Sequence, residues 1–210
     1  MSPDNNYVNS CGTIKNFFSI PQLQDIVETF NRVPSVNGYG NNCFGINQKH
    51  LAYAWVKSSL LHPIAGQFNP DLKLIFAMFL DCVAPFPIHH DLKEIPEKNG
   101  KHFLSFLIPY SVDNDVSKCQ HASTLIFNES YDESKGWLTH RVDNNVSVLH
   151  EEKISHVPIE TTYGISLKKE LIWSLGDLLW WDSRLLHVSN NFLKNGYSSK
   201  QGIIIHTYVL

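Results

Sequence analysis

Leu72-Lys73-Leu74-Ile75-Phe76-Ala77-Met78-Phe79-Leu80-Asp81-Cys82-Val83 marks a change of texture in the chain. Before it, apolar residues recur at helical spacing. From it onward they come in short runs broken by turn residues, the pattern of strands. Residues 103–110 and 124–127 continue the series, and residues 171–175, 178–181 and 202–209 complete it. Residues 137–142 and 146–149 flank Asp143-Asn144-Asn145, which reads as a hairpin turn because Asn tolerates positive φ.

Working back toward the N-terminus, Ser19 can cap a helix with Pro21 in its first turn, and Leu23, Ile26, Val27 and Phe30 then repeat at helical spacing. This predicts a helix over residues 20–32. Gly38-Tyr39-Gly40-Asn41-Asn42-Cys43-Phe44-Gly45 reads as a loop, and residues 48–61 as a second helix that Pro63 ends. Helices first and many strands afterwards predict a mainly β (α+β) fold: a double-stranded β-helix, or cupin-like jelly roll, with the N-terminal helices packed on its outside. One domain over residues 1–210 is expected, with residues 1–70 as helical support and 71–210 as the jelly-roll core. A polar insertion at about residues 128–162, with His121, His140, His150 and His156 around it, either frames the mouth of a site or is a solvated excursion.

The 210 residues, 43% of them hydrophobic, can bury one sizeable core. A net charge of −3 without any basic run argues against a long nucleic acid as partner, while a short nucleotide or modified base stays compatible. Residues 1–10 are polar, and no apolar stretch approaches membrane-spanning length, so a cytoplasmic protein with no membrane partner is expected. Cys11, Cys43, Cys82 and Cys119 form no Cys-x-x-Cys pair and read as reduced thiols.

The chemistry concentrates in two segments. In Pro85-Phe86-Pro87-Ile88-His89-His90-Asp91-Leu92, strand alternation puts His89 and Asp91 on one face and turns His90 away. In Gly176-Asp177-Leu178-Leu179-Trp180-Trp181-Asp182-Ser183-Arg184-Leu185-Leu186-His187, an apolar strand follows a turn, and His187 is expected just beyond it at a strand mouth. Two imidazoles and one carboxylate can hold one face of an Fe(II) ion and leave the opposite positions open.

His-x-Asp alone is a weak signal, since a histidine at a strand end and an aspartate in a turn need no metal. A competing pair, His150 and Glu152, lies in a charged, solvated stretch too close to His187 in sequence for several barrel strands to intervene. Cys82, His89, Cys119 and His121 could ligate zinc, but their spacing matches no familiar structural arrangement. Arg184 is expected to pair with Asp182 or Asp177 rather than to reach a substrate, and Trp180 and Trp181 to point to opposite faces, the inward one as core.

From Leu72 to the C-terminus the chain resembles the iron(II)/2-oxoglutarate-dependent oxygenases, particularly their phytanoyl-CoA hydroxylase-like branch. The resemblance rests on His-x-Asp, then Gly-Asp, apolar strand and His, then a basic residue; the stretch from Gly176 to His187 is its most specific part. It implies that His89, Asp91 and His187 ligate Fe(II), with 2-oxoglutarate as cosubstrate and O2 as oxidant. It also implies that Lys200 anchors the far carboxylate of 2-oxoglutarate, where the family more often has arginine, a bidentate donor rather than a point charge. The activity so implied is hydroxylation of a small molecule or an amino-acid or peptide side chain, with release of succinate and CO2. Two other readings stand beside it: a cupin-like metal enzyme that does not use 2-oxoglutarate, and a non-catalytic jelly-roll binding module.

Overall fold

A computed structural model describes residues 7–32, 42–47, 51–91, 102–130 and 144–209. The first helix, α1 (Ile20–Asn31), begins with a capping box: the Ser19 hydroxyl accepts from the Gln22 N–H while the Gln22 side chain accepts from the Ser19 N–H. Pro21 sits in the first turn, where its missing N–H costs nothing. The helix buries Leu23, Ile26, Val27 and Phe30, each contributing about 1.5–3 kcal/mol of transfer free energy.

The second helical region departs from expectation. It comprises α2 (Tyr53–Val56), a π turn (Lys57–Leu61) and α3 (His62–Gln67), and therefore runs past Pro63; residues 48–50 lie outside the described residues. The His62 N–H bonds to the Lys57 carbonyl, five residues back. That wider turn relieves the clash a proline ring makes with the preceding turn, so Pro63 opens α3 instead of ending the helix. The expected loop at residues 38–45 is also corrected in part. Residues 38–41 lie outside the described residues, but β2 (Asn42–Asn47) is a strand pairing antiparallel with β3 (Lys73–Cys82), Phe44 opposite Phe79. A free sheet edge supplies hydrogen-bond partners that turn-rich local sequence does not announce.

The remaining strands are β1 (Cys11–Ile14), β4 (His102–Val112), β5 (Ser123–Ser130), β6 (Leu167–Ile172), β7 (Leu178–Asp182), β8 (Leu185–Ser189) and β9 (Lys200–Val209). They form a six-stranded sheet in the order β1-β7-β4-β9-β3-β2 and a three-stranded sheet in the order β6-β5-β8, with antiparallel pairing throughout. Alternation divides the larger sheet into two apolar faces. Phe106 and Ile108 of β4, Leu178 of β7 and Ile203 and Ile205 of β9 pack with the helices. Leu107, Leu179, Trp181 and Ile204 pack toward the smaller sheet with Ile126 and Leu185. Burial on both faces is why these strands read as continuous apolar runs. The architecture is the expected jelly roll with helices on its outside.

Within the polar insertion the expected hairpin is overturned. Residues 137–143 lie outside the described residues, and the second strand, expected at 146–149, is instead part of α4 (Asn144–Lys153). Leu149 packs against a cluster formed by Ile154 and Val157 with Leu125, Phe127, Leu186 and Val188 of the smaller sheet. That burial overrides the strand preference of Val146 and Val148, which is only a weak prior. Among the described residues no helix is long and apolar enough to cross a membrane.

Gly176 has φ of +85°, and a Cβ there would stand 2.7 Å from the Phe18 carbonyl oxygen, so only glycine fits. The adjoining Asp177 accepts from Lys15 Nζ at 2.6 Å and from the Asn16 N–H at 3.0 Å. The Gly-Asp pair therefore ties the β1–α1 connection to the start of β7.

Candidate metal centre

His187 lies in the middle of its own strand, β8, rather than beyond a strand mouth, because Ser183 and Arg184 reverse the chain after β7. β8 was not expected as a separate strand, although the polar stretch Asp182-Ser183-Arg184 breaks the apolar run between it and β7. His89 and His187 face each other in an isolated antiparallel bridge, exchanging backbone bonds of 3.0 and 2.9 Å. The Asp91 N–H donates to the Ser183 carbonyl at 3.0 Å, so the turn after β7 fixes the other end of the same segment. Backbone pairing thus aligns residues almost a hundred positions apart in sequence, and His89, Asp91 and His187 come together.

Their ligand atoms all lie within 4.8 Å of one another. His187 Nε2 stands 3.3 Å from Asp91 Oδ1 and His89 Nε2 stands 3.8 Å from it. The Nδ1 atoms are engaged elsewhere: that of His89 with the Pro87 carbonyl at 2.7 Å and that of His187 with the Leu185 carbonyl at 3.0 Å. A carbonyl only accepts, so each Nδ1 carries a proton, and Nε2 is left beside Asp91 Oδ1 as the atom that a metal would take in place of a proton. The second carboxylate oxygen, Oδ2, accepts from the Ser105 hydroxyl at 2.6 Å and from Trp181 Nε1–H at 3.0 Å. Two imidazole Nε2 atoms, neutral once a metal replaces any proton there, and one carboxylate oxygen, each oriented by a partner behind it, form a donor set suited to Fe(II).

The electrostatics follow from depth. Burial raises the carboxyl of Asp91, but the charges of His187 and His206 and the His187 hydrogen bond outweigh it and hold Asp91 well below the ordinary value. Burial likewise lowers His187, and Asp91 reverses that by charge and hydrogen bond, leaving His187 raised. Burial of the ring nitrogens and the neighbouring His187 hold His89 below its ordinary value, although an edge of its side chain reaches solvent. Asp91 is thus an anion over a wide pH range, as a cation site requires.

Lys200 opens β9 with only 3% of its surface exposed. Its Nζ lies 4.3 Å from the centre of the Trp173 ring and 5.7 Å from that of Phe192. No carboxylate of the described residues stands within ion-pair distance, and burial pushes the ammonium down to about 8, with the Cys82 and Cys119 thiols acting weakly the other way. Its charge is felt at His156, whose Nε2–H donates to the Phe86 carbonyl just before His89. A buried ammonium with no carboxylate of the described residues at ion-pair distance is suited to an anion.

The alternatives resolve differently. His150 and Glu152 lie on α4, where residues two apart diverge, and His150 Nε2 is bonded to the Val157 carbonyl. Among the described residues no group containing Cys82, Cys119 or His121 has metal-binding geometry. Arg184 chooses Asp182 over Asp177, donating from Nε at 3.0 Å and Nη2 at 2.6 Å. Trp180 packs on the helix side with Phe68 and Tyr7, and Trp181 is the inward one. Trp181 is more than core, because it donates to Asp91. Sequence reasoning missed Ser105 altogether, although a serine inside the apolar run Phe103-Leu104-Ser105-Phe106-Leu107 was a usable signal: a buried hydroxyl needs a partner.

No family model and no curated protein matches the chain. Solved structures match its fold over nearly its whole length. One is the non-heme alpha ketoglutarate dependent carbocyclase SnoK from nogalamycin biosynthesis, 13% identical, with a TM-score of 0.62 over 99% of this chain and 85% of that one. Another is EvdO2 from Micromonospora carbonacea var. aurantiaca complexed with 2-oxoglutarate, 11% identical, with a TM-score of 0.56 over 100% of this chain and 92% of that one. A third is HygX from Streptomyces hygroscopicus with nickel and 2-oxoglutarate bound, 12% identical, with a TM-score of 0.52 over 94% of this chain and 82% of that one. At these identities the likeness is one of fold, the jelly roll on which those enzymes are built.

Proposed function

We propose that the protein is an Fe(II)- and 2-oxoglutarate-dependent dioxygenase that hydroxylates a small molecule or an amino-acid side chain. The observation that carries this reading is the His89, Asp91 and His187 donor set, and it is supported by a buried Lys200 that has no carboxylate of the described residues at ion-pair distance. The three donors would hold Fe(II), and Lys200 would hold the far carboxylate of 2-oxoglutarate. The fold neighbours lend support, since HygX and EvdO2 carry 2-oxoglutarate on the same fold. Substrate-sized ligands are named there too: HygX is also known with hygromycin B bound. Within the superfamily, the order His-x-Asp, Gly-Asp, strand, His favours the phytanoyl-CoA hydroxylase-like branch. We read residues 1–210 as one domain.

When bound, the metal and its cosubstrate supply the oxidising chemistry, consuming O2 and 2-oxoglutarate and releasing succinate and CO2. The chain's own residues do the rest. Pro87 and Leu185 carbonyls hold the two imidazoles in the tautomer that offers Nε2. Ser105 and Trp181 hold Asp91 with Oδ1 toward them. The dry surroundings of Asp91, His187 and Lys200 strengthen each charge interaction and keep water from the reacting centre. Trp173 and Phe192 stiffen Lys200, which otherwise swings on a flexible stem.

The test is Fe(II)-dependent formation of succinate from 2-oxoglutarate under air, in native protein and in His187→Ala. Turnover lost in the variant supports the reading. Turnover that survives His187→Ala contradicts it, and a metal-binding protein with no affinity for 2-oxoglutarate transfers the site to the cupin-like alternative.

A further inference from the structure

The cross-strand register of the larger sheet sets Trp181 of β7 opposite Ser105 of β4, and Ser105 opposite His206 of β9. Inward alternation gives the three side chains one face, directly beneath Asp91. All are buried, at 2%, 0% and 6% exposure. An ionised carboxylate only accepts, so the Ser105 hydroxyl hydrogen goes to Asp91 Oδ2. Ser105 is then left with two acceptor lone pairs. These face Ser183 Oγ at 2.8 Å and His206 Nδ1 at 3.1 Å, which makes both of them donors and places the His206 proton on Nδ1. The His206 ring is backed by Phe76, its centre 4.5 Å away.

The consequence for Asp91 is asymmetry. Oδ2 receives two donors, at 2.6 and 3.0 Å, which use its two in-plane lone pairs. Oδ1 faces His187 Nε2 and His89 Nε2. We infer that Ser105 and Trp181, oriented by Ser183 and His206, form a clamp that limits Asp91 to a single ligating oxygen and so keeps one more metal position open. This rests on the reading of the site as an Fe(II) centre. An octahedral ion with three protein donors retains three positions, of which a chelating 2-oxo acid takes two and dioxygen needs the third. A chelating Asp91 would fill that third position. Ser105, Trp181, Ser183 and His206 are thus positioning residues: they act through Asp91.

The experiment loads Co(II) into native protein, Ser105→Ala, Trp181→Phe and the double variant, and reads carboxylate coordination by X-ray absorption and by the visible spectrum of the ion. The clamp predicts one Asp91 oxygen on the metal in the native protein and two in the double variant, with a changed visible spectrum. With Fe(II), kcat should fall at least about tenfold in the double variant while KM for 2-oxoglutarate moves less than about threefold. Ser105→Thr, which keeps the hydroxyl, should restore the native spectrum. Circular dichroism establishes that each variant is folded, and if the double variant is not, the single variants carry the same comparison. A folded variant with one Asp91 oxygen on the metal and a native spectrum overturns the clamp alone. Native protein that takes up no Co(II) and no Fe(II) overturns the clamp and the metal reading together.

Discussion

Replacing Lys200 by methionine should make the protein more stable and remove its affinity for 2-oxoglutarate. Lys200 is 3% exposed, has no carboxylate partner among the described residues, and titrates at about 8 instead of 10.5. At 1.36 kcal/mol per pH unit, holding that buried ammonium charged at pH 7 costs about 3 kcal/mol. The Trp173 ring 4.3 Å away returns part of this, about 1–2 kcal/mol for a desolvated cation over an aromatic face. Methionine matches the stem in length and flexibility, so the net gain for Lys200→Met is about 1–2 kcal/mol.

The assay is urea unfolding of the metal-free proteins at pH 7, with calorimetric titration of 2-oxoglutarate into the Ni(II)-loaded forms. The sign with pH is fixed as well. The native state sheds the Lys200 proton near pH 8 and the unfolded state near 10.5, so native stability rises with pH across that window and the advantage of the variant shrinks. A variant less stable than native protein by about 1 kcal/mol or more would show that the Lys200 charge is not costly to bury, and one that binds 2-oxoglutarate normally would show that Lys200 is not its anchor.

Other predictions follow from the same geometry. In native protein loaded with Ni(II), 2-oxoglutarate affinity should be level below about pH 8 and fall about tenfold per pH unit above it, because the charged form of Lys200 is the anchoring one; titration calorimetry across pH 6.5–9.5 reads this directly. Gly176→Ala forces a Cβ to within 2.7 Å of the Phe18 carbonyl at φ of +85° and should cost at least about 2 kcal/mol in urea unfolding. Asp182→Asn removes a buried carboxylate that accepts from Arg184 and from the Asn9 N–H, and should cost about 3 kcal/mol at pH 7. Burial raises the Asp182 carboxyl, but hydrogen bonds from His102, Arg184 and the Asn9 N–H outweigh it and hold the group below its ordinary value, so its contribution is full above about pH 4 and fades as pH falls; the gap between native and variant should narrow in acid.

The fold was legible wherever burial on two faces forced an apolar run, as in residues 72–83 and 202–209, and wherever a local signal was self-contained, as with Ser19 and Gln22. It was not legible where tertiary context decided. Pro63 ends an ordinary helix but opens α3 behind a π turn, and residues 146–149 alternate like a strand yet wind into α4 because Leu149 finds a cluster to join. β8 was not separated from β7 because the polar break Asp182-Ser183-Arg184 fits the end of one strand as well as a reversal into the next, and tertiary pairing decides for the reversal.

The candidate site divides along the same line. Alternation was enough to select His89 and Asp91 over His90, and the Gly-Asp signal located the strand preceding His187. The partners behind the ligands depend on register between β4, β7 and β9, which sequence periodicity does not carry. Ser105 interrupts an apolar run in β4 and His206 ends one in β9, and their meaning appears only when the strands are laid side by side.

Whether His89, Asp91, His187 and Lys200 make one site for Fe(II) and 2-oxoglutarate is tested by an anaerobic titration of metal-free native protein with Fe(II) and then with 2-oxoglutarate, repeated with His187→Ala and Lys200→Met. One Fe(II) per chain is expected, with tight 2-oxoglutarate binding only after the metal, loss of both in His187→Ala, and loss of 2-oxoglutarate alone in Lys200→Met. Metal uptake unchanged in His187→Ala, or 2-oxoglutarate binding that needs neither the metal nor Lys200, would contradict the single site.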